Sequence, residues 1–384
     1  MSRLKELMAE LCPDGVEYKA VENVVQIHRG TRVVRRDLKE EGAYPVYQNS
    51  LKPLGFYHQA NASGDTVFVI CAGAAGDIGY SSVDFWAADD CFFFEKSDEI
   101  LSRYLYHLLL GKETQIKGRV RKASIPRLSH TVLEKMIIPV PPLPVQREIV
   151  RILDNFTELT AELTAELTAR KKQYEYYRDR LLTFTGGRVE WKTLGEISKS
   201  VTSGGTPRKS HSSYYENGTI PWLRTQEVDF TEIREVHSFI TEEGLANSSA
   251  KWIPAHCVII AISGATAAKS AVNSIPLTTN QHCCNLEIDD KIADYKFVFF
   301  WVKSQYEKLK SLGRGAREDL SVAIISAFPI PIPPLSGQRR IVSILDHFDT
   351  LTHDLASGLP AEIAAREKQY AYYRDKLLSF PRKE

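Results

Sequence analysis

Two long stretches of the chain repeat apolar residues at alternating steps of three and four. The first series is Ile149, Leu153, Phe156, Leu159, Leu163, Leu167, Tyr174, Tyr177, Leu181 and Phe184; the second is Ile341, Leu345, Phe348, Leu351, Leu355, Leu359, Ile363, Tyr370, Tyr373, Leu377 and Phe380. That spacing predicts helices that bury a narrow seam against another helix. A proline-rich run precedes each, IPVPPLPVQ (138–146) and PIPIPPLSGQ (329–338). It predicts a stiff, extended linker, with the first helix starting near Gln146 or Arg147. Gly358 and Pro360 favour a break near Ser357 and a restart with Pro360 in the first turn, so the second helix is expected to be interrupted.

Ahead of each helix the pattern changes to short apolar runs bounded by turn residues. They are YPVYQNS (44–50), TVFVICAG (66–73) and CFFFE (91–95), then IPWLRTQEV (220–228), CVIIAISG (257–264) and HCCNLEI (282–288). A helical pattern follows each set, around Ser102–Leu110 and near Tyr295–Leu312. Each half therefore reads as a mixed α/β globule of about 130 residues.

The halves are copies. KQYEYYRDRLLTF (172–184) returns as KQYAYYRDKLLSF (368–380), with ten of thirteen positions identical, and IPVPPLPVQREIVRILDNF (138–156) returns as IPIPPLSGQRRIVSILDHF (330–348). GVEYKAVENVV (15–25) opens the first globule as RVEWKTLGEIS (188–198) opens the second. The amphipathic start, with Leu4, Leu7, Met8 and Leu11 ahead of Pro13-Asp14-Gly15, lines up with the helix ends as a short third copy. The expected fold class is α+β, with two pseudo-symmetric globules separated by two long antiparallel coiled-coil helices. The expected domains are 1–142, a central spacer helix 143–187, a second globule 188–334 and a C-terminal spacer helix 335–384 interrupted near 357–360. The helices repeat almost verbatim, while the globules keep only their plan. Near-identical surfaces suit two copies of one partner, and divergent ones suit different ligands.

A tetrapeptide, TAEL, occurs at 160–163 and again at 164–167. One unit is close to a helical turn, so adding or removing it changes the length by ~6 Å and nearly preserves the helix facing.

Composition adds limits. With 384 residues, 43% hydrophobic and 25% charged, the chain has material for two cores, and its net charge of +1 neither requires nor excludes a nucleic-acid partner. The six cysteines show no metal-ligand or disulfide spacing and read as reduced thiols of a cytoplasmic protein. No apolar run approaches the roughly 18 residues of a membrane span.

Candidate catalytic motifs are weak. GATAAKS (264–270) has Ala268 where a phosphate-binding loop needs glycine and is one residue short; GAAGDIG (73–79) reads better as a tight turn than as a dinucleotide fingerprint. His282, beside Cys283 and Cys284, reads as packing, and no metal site is expected. The chain is expected not to be an enzyme. Basic clusters recur instead at matching places: Arg29, Arg32, Arg35 and Arg36 against Arg208 and Lys209, and Lys117, Arg119, Arg121 and Lys122 against Arg314 and Arg317. With Gln48, Asn49, Arg224, Gln226 and Lys269 they form a candidate DNA-binding set of phosphate and base-edge contacts. On the repeated helices Tyr176, Arg178, Tyr372 and Arg374 lie off the seam and are candidates for a partner face.

The doubled IPxPP, Q, R, IV and ILDxF run, the KQYxYYRDxLL ends, the TAEL units and the SGAT and TNQHC patterns resemble the specificity subunit of type I restriction-modification enzymes over essentially the whole chain. The resemblance implies a non-catalytic subunit with two target-recognition domains, each reading half of a split double-stranded DNA site. It implies two methyltransferase subunits docked on the paired helices and two motor-nuclease restriction subunits. S-adenosylmethionine, ATP and Mg would belong to those partners, with no cofactor in this chain. Two departures stand out: Ala267-Ala268 follow SGAT where a glycine or small residue is usual, and the second spacer helix is longer than the first. The competing reading is a two-fold scaffold that bridges two copies of a partner without touching DNA.

Overall fold

A computed structural model describes residues 2–122, 124–184, 189–313, 319–353 and 357–383. The chain divides into two units, Met1–Ala165 with Ala361–Glu384, and Glu166–Pro360. The division falls within the second TAEL repeat of a central helix that runs without a break from Leu143 to Leu181.

The first unit is built on a four-stranded antiparallel sheet in the order Ile27–Arg29, Cys91–Phe94, Thr66–Ile70, Ile78–Ser81. Thr66–Ile70 is buried at every position, as its unbroken apolar, largely β-branched sequence requires of a strand covered on both faces. A smaller sheet orders Gly55–Tyr57, Tyr44–Tyr47 and Trp86–Ala87. The second unit repeats the plan with an extra edge strand in each sheet. One sheet orders Ser198–Ser203, Cys283–Ile288, Val258–Ala261, Ser270–Asn273 and Glu232–Ile233; the other orders Phe239–Ile240, Ile220–Leu223, Leu277–Thr279 and Trp252–Ile253.

The proline-rich runs are not free linkers. Ile137–Pro139 pairs antiparallel with Tyr18–Ala20, and Pro329–Ile332 with Glu190–Thr193, so the exit of each globule is tied to its entrance. The central helix then begins at Leu143, earlier than the prolines suggested, because Pro144 sits in its first turn, where a missing N–H costs nothing.

One residue explains much of the repeat. Gln146 is fully buried; its Oε1 accepts from the Leu101 N–H at 2.8 Å, and its Nε2 donates to the carbonyls of Glu99 and Pro141 at 2.8 Å each. Gln338 does the same for the Asp294 N–H and the carbonyls of Ile292 and Pro333. Each glutamine pins the start of its globule's helix, Ser102–Gly111 or Tyr295–Ser304, to its spacer helix. Unpairing such buried backbone groups costs about 1–3 kcal/mol each.

Packing continues the attachment. Ile149 and Leu153, and their counterparts Ile341 and Leu345, are buried in the cores of their respective units, each contributing about 1.5–3 kcal/mol. In the first unit the central helix also meets the helix Leu359–Leu377, with Phe156 stacked on Tyr373 at 5.3 Å. In the second it meets the helix Leu335–His353, with Tyr177 stacked on Phe348 at 5.6 Å. The C-terminal spacer thus comprises two helices of 19 residues beside a first spacer of 39.

Candidate nucleic-acid interface

In the first unit the candidate loops converge at one end of the main sheet. Gly30 passes so close to the Ala87–Ala88 backbone that an added Cβ would lie 2.1 Å from the Ala88 carbonyl oxygen. This approach holds Arg29 at the end of its strand, with Nε bonded to the Asp89 carbonyl at 2.9 Å. Arg121 and Arg127 exchange backbone hydrogen bonds, while the adjacent Leu128 N–H donates to the Cys71 carbonyl at 2.8 Å. The basic loop is thereby hooked onto the sheet, and Arg29 and Arg127 line one cavity of about 530 Å3 with His28 and His130. The Asn49 carbonyl accepts from the Ala74 N–H at 3.0 Å, which carries Gln48 and Asn49 to the glycine turn.

Arg29, Arg32, Arg35, Arg36, Arg119, Arg121 and Lys122 are exposed, as is Asn49, and Gln48 is half-buried. Lys117 is exposed but differently disposed: its ammonium sits 2.8 Å from Asp77 and 2.6 Å from Glu113, which neutralise it. Arg127 belongs to the face through its ladder with Arg121.

The second unit uses the same device. Gly204 crosses the Thr279 backbone so closely that a Cβ would lie 2.0 Å from its carbonyl oxygen. The exposed Arg208 and Lys209 follow this crossing. Exposed Arg224 precedes, and exposed Gln226 lies within, the short 3-10 turn Thr225–Glu227, where the Glu227 Oε1 accepts from the Arg224 N–H at 3.1 Å. That turn is bound to the TNQHC segment: Thr225 Oγ1 donates to Asn280 Oδ1 at 2.8 Å, and the Asn280 N–H to the Leu223 carbonyl at 3.0 Å. Lys269 pairs with Asp229 at 2.6 Å and is not a free cation. Arg314 and Arg317 lie outside the described residues.

Two sequence readings change here. His282 is not core packing; it is exposed and joins Ser263 (2.6 Å) and Gln281 (3.1 Å) in a polar network, to which Thr206 adds a hydrogen bond to Gln281. The buried members are its neighbours Cys283 and Cys284, whose thiols burial pushes up to about 12. Gln281 and His282 were legible only through the TNQHC pattern. GATAAKS, in turn, closes a hairpin: Val258–Ala261 pairs antiparallel with Ser270–Asn273, and no helix follows to receive a phosphate. Ala268 takes the left-handed conformation (φ 68°) and is fully buried, so a small residue is needed there. GAAGDIG also closes a hairpin, with Gly73 and Gly76 left-handed.

On the helices, Tyr176 and Tyr372 stand 58% and 61% exposed. Arg178 and Arg374 do not share that face. Each bonds the aspartate next to it at 2.8–2.9 Å and lies over the ring of Tyr174 or Tyr370, about a quarter exposed or less.

A model described as the type I restriction modification DNA specificity domain matches residues 13–170 and again 188–365. The chain belongs to that family. It is 41% identical over 299 residues to an Escherichia coli type I restriction enzyme specificity subunit, covering 75% of this chain and 73% of the relative. A putative type I restriction enzyme specificity subunit of Haemophilus influenzae is 30% identical over 390 residues, covering 95% and 96%. The fold is that of the type I restriction-modification S subunit from M. genitalium, at a TM-score of 0.69 and 16% identity, covering 95% and 96% of the two chains. The chain is therefore a non-catalytic DNA-specificity subunit of a type I restriction-modification system, and its two globules are the target-recognition domains. Among the described residues of this specificity subunit no group of three or more His, Cys, Asp or Glu could hold a metal. None of its described helices is long and apolar enough to cross a membrane.

Proposed function

We propose that the converging loop faces are the DNA-reading surfaces, each meeting one half of a split duplex site. In the first domain Arg29, Arg32, Arg119, Arg121, Lys122 and Arg127 position phosphates, and Gln48 and Asn49 meet base edges. In the second, Arg208 and Lys209 position the backbone, while Arg224, Gln226, Gln281 and His282 read. What carries this reading is the recurrence, in two domains of dissimilar sequence, of a glycine crossing that brings basic residues and amide side chains to the same end of the main sheet. Lys117 and Lys269 support the loops through their ion pairs and carry less of the phosphate contact.

The repeated helices, with Tyr176 and Tyr372 exposed at equivalent places, dock two methyltransferase subunits, and two motor-nuclease subunits complete the assembly. S-adenosylmethionine, ATP and Mg are bound by those partners, and a target base flipped from the duplex is served to the methyltransferase. The assembly works in the cytoplasm.

The test is duplex binding across a salt series with Arg119, Arg121 and Lys122 each changed to Glu. Affinity is expected to fall by at least tenfold and the slope of log K against log salt to flatten by about two to three. A scaffold that never touches DNA would show neither change.

A further inference from the structure

The second domain contains a cavity of about 550 Å3 with Phe230, Phe299 and Phe300 among its lining residues and Val272 in its wall. Strand register locates the same place in the first domain. Val67 pairs with Tyr80 as Val258 pairs with Val272, and the ion pair Arg103–Asp154 corresponds to Lys296–Asp346. In the first domain the place is filled by the chain itself. The Arg103 guanidinium lies 4.5 Å from the Tyr80 ring centre and 4.9 Å from that of Tyr106, with Nε bonded to Asp154 at 2.8 Å.

In the second domain Tyr80 is replaced by Val272, Tyr106 by Phe299 and Arg103 by Lys296. Lys296 spends its charge on both oxygens of Asp346, at 2.9 Å each. The remaining cations near the rings, Lys269 and Lys303, stand 5.6–6.0 Å from Phe230 and Phe299 and are paired with Asp229 and Asp349. Phe230 is held in the left-handed conformation (φ 55°), which is unfavourable for a non-glycine residue, and its ring lines the cavity. Five of the charged lining groups are carboxylates, Glu227, Glu232, Glu235, Asp346 and Asp349; of these Glu232 pairs with Arg234 at 3.2 Å, Asp346 with Lys296 and Asp349 with Lys303. Glu235 makes no ion pair among the described residues and is exposed. An acidic, aromatic-walled cavity repels a phosphate backbone and favours a cation that stacks on rings.

We propose that this cavity receives an arginine side chain from the methyltransferase subunit, its guanidinium against Phe230 and Phe299 and its charge met by Glu235. The first domain shows that this framework holds a guanidinium between a helix aspartate and two rings. Where its own arginine is missing, the partner supplies one. The inference rests on the reading that two methyltransferase subunits dock here, and it makes the two docking sites unequal.

Titration calorimetry of the full-length chain with the purified methyltransferase subunit tests it. Val272→Tyr with Lys296→Arg refills the cavity as the first domain does, and Glu235→Gln removes charge at the exposed mouth without altering the core. Each variant is expected to weaken one of two binding steps by tenfold or more and leave the other unchanged. Two undiminished steps in the charge variant overturn the proposal, whether or not the refilled variant folds. Weakening in the refilled variant alone indicates an apolar occupant and overturns the arginine assignment. No binding to the unaltered chain would overturn the two-methyltransferase reading along with it.

Discussion

His107 and Phe300 occupy the same position on the attachment helices of the two domains, and they make those attachments respond differently to acid. His107 is fully buried. Its Nε2 is 2.8 Å from Asp154 and its Nδ1 is 2.8 Å from the Tyr370 hydroxyl. A neutral ring satisfies both, with Nε2–H donating to Asp154 and Nδ1 accepting from Tyr370. Burial lowers its pKa, outweighing the Asp154 hydrogen bond that would raise it, and the nearby Arg103 and Arg374 act in the same direction as burial. The unfolded chain therefore takes up the proton first, and stability is lost as pH falls below about 6.5 toward the lower folded value. Asp154 also has a lowered pKa, because the hydrogen bonds from His107 and Arg103 prevail over its burial. Its contribution is lost only as pH drops below the usual carboxylate range. Melting curves at pH 7.5 and 5.5 are expected to show a drop in Tm that His107→Phe, the residue of the second domain, makes smaller. An unchanged drop would contradict the account.

Single residues were the part of the site least legible in the sequence. Lys117 and Lys269 read as free cations because Asp77 and Asp229 lie far from them in the chain and only the fold brings those pairs together; the second partner of Lys117, Glu113, is a helical neighbour four residues away. His282 reads as core because its neighbours are core, yet it lies in the turn ahead of the strand Cys283–Ile288, whose first four residues are all buried.

At the scale of elements the sequence was far more explicit, since apolar periodicity is itself the packing instruction. The central helix, the attachment helices and the strands at Thr66–Ile70 and Val258–Ala261 follow directly from it. The proline runs predict stiff, extended linkers, and in the fold they are also paired: Tyr18–Ala20 and Glu190–Thr193 supply partners, and edge pairing tolerates the missing N–H. Within the TAEL units Leu163 and Leu167 are half-buried while Ala161, Glu162, Ala165 and Glu166 are exposed, so a whole unit can be removed without turning the seam to solvent. Deleting Thr164–Leu167 is expected to shorten the untouched gap of the DNA site by one or two base pairs, from ~6 Å of helix at about 3.4 Å per base pair, and to leave both half-sites intact. Sequencing of methylated sites in cells carrying the deletion measures this, and an unaltered gap would refute the length-adjuster role.

For the whole molecule, the division of labour follows from what is repeated and what is not. The buried glutamines, the seam and the exposed tyrosines recur in both halves, which is what the proposed docking of one kind of partner twice requires. The loops at the ends of the main sheets share only their backbone plan, which is what the proposed reading of two different half-sites requires. The central claim is that each domain reads its own half-site independently of the other. Methylation-site sequencing with the partner subunits and the variant Arg224→Ala, Gln226→Ala tests it most directly. Relaxed sequence at one half-site, with the other half-site and the gap preserved, is the predicted result; change at both half-sites, or at neither, would contradict it.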